Sequence, residues 1–227
     1  MRRRNFAAGA TLGALAACGG GAVSGPACSP SLLVDCCGDS TFSGFRQIAP
    51  GAAAVPLQDR PAARLSRLLG VGCIDHAISG ATLQWHRDTF ALASNPATAL
   101  VMRFGAADSL AGTLPDVFTQ ALYAHVQAAQ ALGKTVVLVG LIWSVRKPEW
   151  QNPLGVGDEA YGRLAELSAK LDKIAKEVAT ARSCPFVDMR RLQFDGIIDI
   201  ADAFHQSQAY SDRGVDAIAE ELRHLPT

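Results

Sequence analysis

An α/β fold, with one parallel sheet and helices on both faces, is what the order of apolar segments predicts. Short apolar runs alternate with longer amphipathic ones: Leu32 to Val34, Val71 to Ala77, Ala97 to Phe104, Thr135 to Val139 and Cys184 to Asp188 read as strands. The chain has 227 residues, 49% hydrophobic and 19% charged, which is an ordinary globular composition with length for one α/β domain and little room for a second. Its 21 basic and 21 acidic residues cancel, so no case arises for nucleic acid as a partner. Past the N-terminus no window reaches the length of unbroken apolar sequence that a transmembrane helix needs.

The N-terminal stretch is read as a targeting segment. Arg2-Arg3-Arg4 is a positive n-region, and Phe6 to Ala17 is a short Ala/Gly-rich apolar segment, so residues 1–17 are assigned as a signal peptide. Leu15-Ala16-Ala17-Cys18 resembles a bacterial lipobox, in which Cys18 becomes the lipidated mature N-terminus. An ordinary signal peptide cleaved at small residues is the alternative. Arg3-Arg4-Asn5-Phe6 also resembles a twin-arginine signal, so the export route stays open. Residues 18–30 are Gly/Ser/Pro-rich and read as a flexible tether, and residues 31–227 form the folded domain. The expectation is an exported protein of the bacterial periplasm or cell envelope, membrane-anchored through a lipid on Cys18, and a monomer.

The first strand, Leu32 to Val34, runs into Gly38-Asp39-Ser40, where glycine marks a sharp turn. A serine just past the carboxyl end of a central strand lies at the crevice where open α/β sheets bind ligands. Asp39 and Ser40 could equally cap the following helix. Next, Asp59 to Gly70 reads as a helix, capped by Asp59, opened by Pro61 and ended by Gly70, with Leu65, Leu68 and Leu69 on the face toward the sheet. The second strand closes in Ile78-Ser79-Gly80-Ala81-Thr82. His76 and His86 flank that turn and are taken as structural or surface residues. The third strand ends in Gly105-Ala106-Ala107-Asp108, read as a turn.

Leu114 to Leu132 is an amphipathic helix with Thr113 as N-cap and Gly133 at its end. His125 is taken as a helix-face residue. After the Thr135 to Val139 strand, Ser144 to Gly157 is a long irregular segment at a strand's carboxyl end. There, together with Trp143, Trp150 could wall a substrate pocket or simply pack the loop. Asp158 to Arg182 is a long helix with Leu164, Leu167, Leu171 and Ile174 on one stripe. Ser211 to Arg223 is the closing helix. The cysteine spacings match no zinc site, and no Gly-rich phosphate loop or His/Glu metal motif occurs, so no metal or organic cofactor is expected.

The chemistry-bearing residues lie at opposite ends of the domain. A serine needs a base to take its proton, and histidine is the usual base near neutral pH. Asp202-Ala-Phe-His205 offers that base with an aspartate three residues away to orient it. An early Gly-Asp-Ser, a late Asp-x-x-His and a closing amphipathic helix together resemble the SGNH, or GDSL-like, hydrolase superfamily over roughly residues 32–222. The resemblance implies a flavodoxin-like three-layer α/β/α sandwich of about five parallel strands. It also implies serine ester hydrolysis with Ser40 as nucleophile, His205 as base and Asp202 orienting it, and Gly80 and Ser40 donating backbone N–H groups to the oxyanion. In the family's strand order the first two strands are neighbours, so a bridge from Cys36 or Cys37 to Cys73 is conceivable. Small buried thiols are the reading preferred here. The family's third motif carries an asparagine that donates to the oxyanion; this chain has Ala107 there, which cannot donate. The substrate is then a lipid, an acylated or O-acetylated glycan, or a small ester. Ala107 motivates an alternative, a catalytically weak acyl- or glycan-binding protein, and the same residues would also serve an acyltransferase.

Overall fold

Five parallel strands lie in the order β4-β1-β5-β6-β7 in the computed structural model, which describes residues 32–46, 53–141, 158–192 and 205–225. They are β1 (Leu33–Gly38), β4 (Gly72–Ala77), β5 (Ala99–Arg103), β6 (Thr135–Val139) and β7 (Phe186–Val187). A separate two-residue hairpin pairs β2 (Phe45–Arg46) with β3 (Val55–Pro56). The helices are α1 (Ser40–Ser43), α2 (Pro61–Leu69), α3 (Leu83–Thr89), α4 (Ala106–Ala111), α5 (Pro115–Ala131), α6 (Asp158–Ala181) and α7 (Gln208–Arg223).

The period of two in a strand sorts its side chains between two cores. Val34 and Cys36 of β1, Ala99 and Val101 of β5, and Val137 and Val139 of β6 pack with α2 and α7, through Leu65, Tyr210, Ile218 and Leu222. Cys37, Leu100, Met102, Val136 and Leu138 point the other way, onto α3, α5 and α6, through Leu83, Phe118, Val126, Leu171 and Val178. Because both faces are covered, β5 from Ala99 to Met102 and β6 from Val136 to Val139 read as continuous apolar runs, whereas β1 is interrupted by Asp35. This is the three-layer α/β/α sandwich with a five-stranded parallel sheet that the sequence leads one to expect.

Several local readings change. Asp59 does not cap α2; Arg60 occupies that position without a side-chain bond, and Asp59 pairs with Arg67 instead. Leu68 is exposed, since it sits about 60° round the helix from the buried Leu65. Leu114, not Thr113, precedes α5, whose first residue is Pro115. The stretch after Gly105 is not a bare turn but α4, and α7 starts three residues early, capped by the Ser207 hydroxyl on Tyr210 N–H. Cys36, Cys37, Cys73 and Cys184 are free thiols. Although β1 and β4 are neighbours, their register sets Cys73 against Val34 and Cys36 against Asp75. His125, taken as a helix-face residue, is buried against His86 with ring centroids 5.4 Å apart, and His86 takes the structural of its two readings. Residues 1–31, which include the expected signal peptide, Cys18 and the whole expected tether, lie outside the described residues, as do Trp143 and Trp150.

Candidate active site

The strand order reverses at β1, which lies between β4 and β5, and the crevice of such a sheet opens at the strands' carboxyl ends there. The turn from β1 to α1 fills that position. Gly38 is forced by closeness: a Cβ on it would come within 2.4 Å of the Arg103 carbonyl oxygen. Asp39 N–H donates to that same carbonyl at 3.2 Å, locking the turn against the end of β5.

Asp39 is wholly buried, and its two carboxylate oxygens divide the work. Oδ1 accepts from Thr41 N–H at 2.9 Å and Thr41 Oγ1 at 2.7 Å, capping α1. Oδ2 accepts from the N–H groups of Ala106 and Ala107, at 3.0 and 3.1 Å, capping α4. One side chain thus fixes two helix N-termini side by side. The capping reading of Asp39 is correct, and it leaves Ser40, the half-buried first residue of α1, as the polar side chain of the turn.

Gly80 sits in the turn after β4 with φ +80°, a left-handed conformation that glycine adopts without cost, and open space lies where its Cβ would be. That turn is tied to β1, because Ile78 N–H donates to the Gly38 carbonyl at 2.9 Å and Ala81 N–H closes back on Ile78. Asp108 secures the next helix by accepting from Leu83 N–H with both oxygens, at 3.2 and 3.1 Å. Burial pushes the Asp108 carboxyl up to about 6. Ala107 is buried in the first turn of α4, with its N–H given to Asp39.

His205 is half-buried and stands beside Gln206, which makes the link to the serine turn. Gln206 Nε2 donates to the Thr41 carbonyl at 3.1 Å, and its Oε1 accepts from Arg103 Nη1 at 2.8 Å. Ser40 and His205 are therefore each one residue away from a common buried network. Asp202 lies outside the described residues.

Arg103 and Gln206 are the members of this network that sequence reasoning missed; Arg103 anchors it. Arg103 is wholly buried at the end of β5. Besides Gln206, its guanidinium donates to the carbonyls of Thr41 at 2.9 Å and Gly140 at 3.2 Å, while Nη2 makes no hydrogen bond. Burial lowers its pKa, and the nearby Asp39 carboxylate works against that shift. The fixed fork of an arginine suits it to bridge several acceptors at once. A charged residue ending an apolar strand was the available signal. Among the described residues no three His, Cys, Asp or Glu side chains cluster to hold a metal ion.

The fold has counterparts among known structures. A carbohydrate acetylesterase family member from Sinorhizobium meliloti superposes with a TM-score of 0.67 at 16% identity, covering 85% of this chain and 97% of that one. A lipase/acylhydrolase from Enterococcus faecalis gives 0.61 at 21% identity, covering 86% and 98%. An acetylxylan esterase from Geobacillus stearothermophilus gives 0.61 at 16% identity, covering 84% and 94%. Among curated proteins none is a significant match. The model of the GDSL-like lipase/acylhydrolase family matches residues 36–217, from the end of β1 into α7. With the serine turn, the glycine turn and the histidine segment all inside that span, the chain belongs to the GDSL-like lipase/acylhydrolase family of ester-hydrolysing enzymes.

Proposed function

We propose that the protein hydrolyses carboxylic or O-acyl esters with a Ser40–His205–Asp202 triad. Ser40 Oγ attacks the ester carbonyl as His205 takes its proton. His205 then returns the proton to the leaving alcohol, and a water activated by the same imidazole releases the acid. Asp202 orients His205. The N–H groups of Ser40 and Gly80 stabilise the oxyanion. The observation that carries this reading is the Gln206 bridge, which joins the residue after His205 to the carbonyl of the residue after Ser40. The reaction calls for no metal or organic cofactor.

The substrate proposed is an acylated glycan or a small ester, in keeping with the carbohydrate acetylesterase and acetylxylan esterase among the structural relatives. The N-terminal sequence supports export and a lipid anchor on Cys18, placing a monomeric enzyme at the periplasmic or cell-envelope face of a membrane. A second reading rests on Ala107: without the side-chain donor the site turns over slowly and serves mainly to bind acyl or glycan ligands.

A fluorophosphonate probe separates the two. Labelling of Ser40, abolished in Ser40→Ala, is the expected result. Folded protein that does not react at Ser40 overturns the hydrolase reading.

A further inference from the structure

Beside the glycine turn lies a second cavity that the triad does not use. It encloses about 350 Å³, within the range of small-molecule sites. Its lining includes Ile78, Trp85, Phe90, His76 and His86. Trp85 and Ile78 are 44% and 45% exposed, and so offer an apolar surface to solvent rather than to the core. Phe90 forms the aromatic floor, stacked on His86 with centroids 4.4 Å apart and edge-on to His76 at 5.3 Å.

The polar side of the cavity is built from beneath. Asp35, in the middle of β1, is wholly buried, and its Oδ2 meets His76 Nδ1 at 2.7 Å. Asn95 Nδ2 donates to the same oxygen, and Asn95 Oδ1 accepts from Ala97 N–H, which fixes the amide beside the pair. A carboxylate only accepts, so His76 Nδ1 carries the hydrogen of this bond and Nε2 is the ring nitrogen left for a ligand. The His76 side chain is 44% exposed, on the cavity wall. His86, on the same wall and 2% exposed, has no partner for either ring nitrogen among the described residues.

This lining selects by exclusion. Among the described residues no Lys, Arg, Asp or Glu is on it, and Asp35 is sealed behind His76 and Asn95. What fits is an uncharged ring with an apolar face for Trp85 and Ile78 and a hydroxyl edge, able to donate or accept, for His76 Nε2. We infer that this cavity is a sugar-binding subsite, outside the triad, that holds a neighbouring unit of an acylated glycan. Position favours it, because Ile78 of the cavity and Gly80 belong to one turn, and Ile78 N–H is bonded to the carbonyl of Gly38, two residues before Ser40. The binding part of this inference stands alone, whereas its kinetic consequence rests on the ester-hydrolase reading above.

The test uses the full chain with xylotetraose and cellotetraose, neutral probes that lack the ester. Titration calorimetry should detect binding of at least one at millimolar concentration, and Trp85→Ala should weaken it ~10-fold. Trp85 is half exposed, so the variant should fold, which circular dichroism checks. On acetylated xylo-oligosaccharide Trp85→Ala should raise KM by a similar factor with kcat held, and on p-nitrophenyl acetate both constants should stay within about twofold. Binding without any esterase activity would sustain the subsite and remove the hydrolase reading. Esterase activity with no oligosaccharide binding, or binding that Trp85→Ala leaves intact, would overturn the subsite alone. Displacement of the sugar by phenol at lower concentration would reassign the cavity to aromatic alcohols and overturn the sugar assignment.

Discussion

Lowering the pH should destabilise this protein through two buried histidines. His86 packs against Phe90, Phe104 and His125, and burial, with smaller effects from His125 and His76, drives its pKa down to about 3 from 6.5. His125 falls to about 4 through burial, helped by Arg87. A depressed histidine pKa means that the unfolded chain takes up a proton which the folded chain refuses. Stability is therefore complete above about pH 6.5 and is lost as pH falls toward the folded values. Between about pH 8 and pH 5 each histidine removes ~2 kcal/mol, ~4 kcal/mol together. Asp108 acts in the opposite sense, because its carboxyl is raised to about 6, and it offsets ~1 kcal/mol over the same interval. Urea unfolding at the two pH values measures the net fall. The decisive comparison is His86→Phe, which keeps an aromatic ring in an aromatic cluster and removes one titration. It should shrink the pH-dependent loss by ~2 kcal/mol, with the carboxylate contributions cancelling. If wild type and His86→Phe lose equal stability between the two pH values, His86 is not held neutral by burial.

Other outcomes are expected at and around the site. Ser40→Ala should abolish hydrolysis of short p-nitrophenyl esters with little change in Tm. His205→Ala should do the same, and the double variant should lose little more, because triad members act as a unit; independent, multiplicative losses would count against the triad. Arg103→Met removes the donor shared by the carbonyls of Thr41 and Gly140 and by Gln206, so stability should drop ~2–4 kcal/mol in urea titration. The fluorophosphonate rate at Ser40 should fall with it in the fraction that stays folded; an unchanged rate would mean that the network does not position the serine turn. Ala107→Asn should raise kcat more than it lowers KM, by less than the ~10²–10³ lost when a native oxyanion donor is deleted, and a folded variant with unchanged or lower kcat would show that the amide does not reach the oxyanion. Cys18→Ser should shift the protein from membrane to soluble fractions, and unchanged fractionation would mean that Cys18 bears no anchor.

The order of elements and their layering were legible in the sequence because both follow from local pattern. Strands such as Ala99–Arg103 and Thr135–Val139 are short apolar runs, and α6 carries a leucine stripe at helical spacing, so alternation alone implies a parallel sheet covered on both sides. Gly38-Asp39-Ser40 could be singled out because a glycine and two polar residues end an apolar strand. Other features depend on contacts between residues far apart in the chain. Nothing local says that Asp39 caps α4 as well as α1, since the second set of donors lies 67 residues away. Asp35 reads as an odd charge in a strand until His76 and Asn95, 41 and 60 residues on, close around it. Arg103 looks like the end of a strand until Thr41, Gly140 and Gln206 converge on its guanidinium. His125 looks like a helix-face residue because periodicity tells which side a residue takes, but not that His86 packs against that side. Propensity and hydrophobic period act within a few residues. Burial, pKa and hydrogen-bond partners are set by which distant segments the sheet order brings together, and only the tertiary structure decides those.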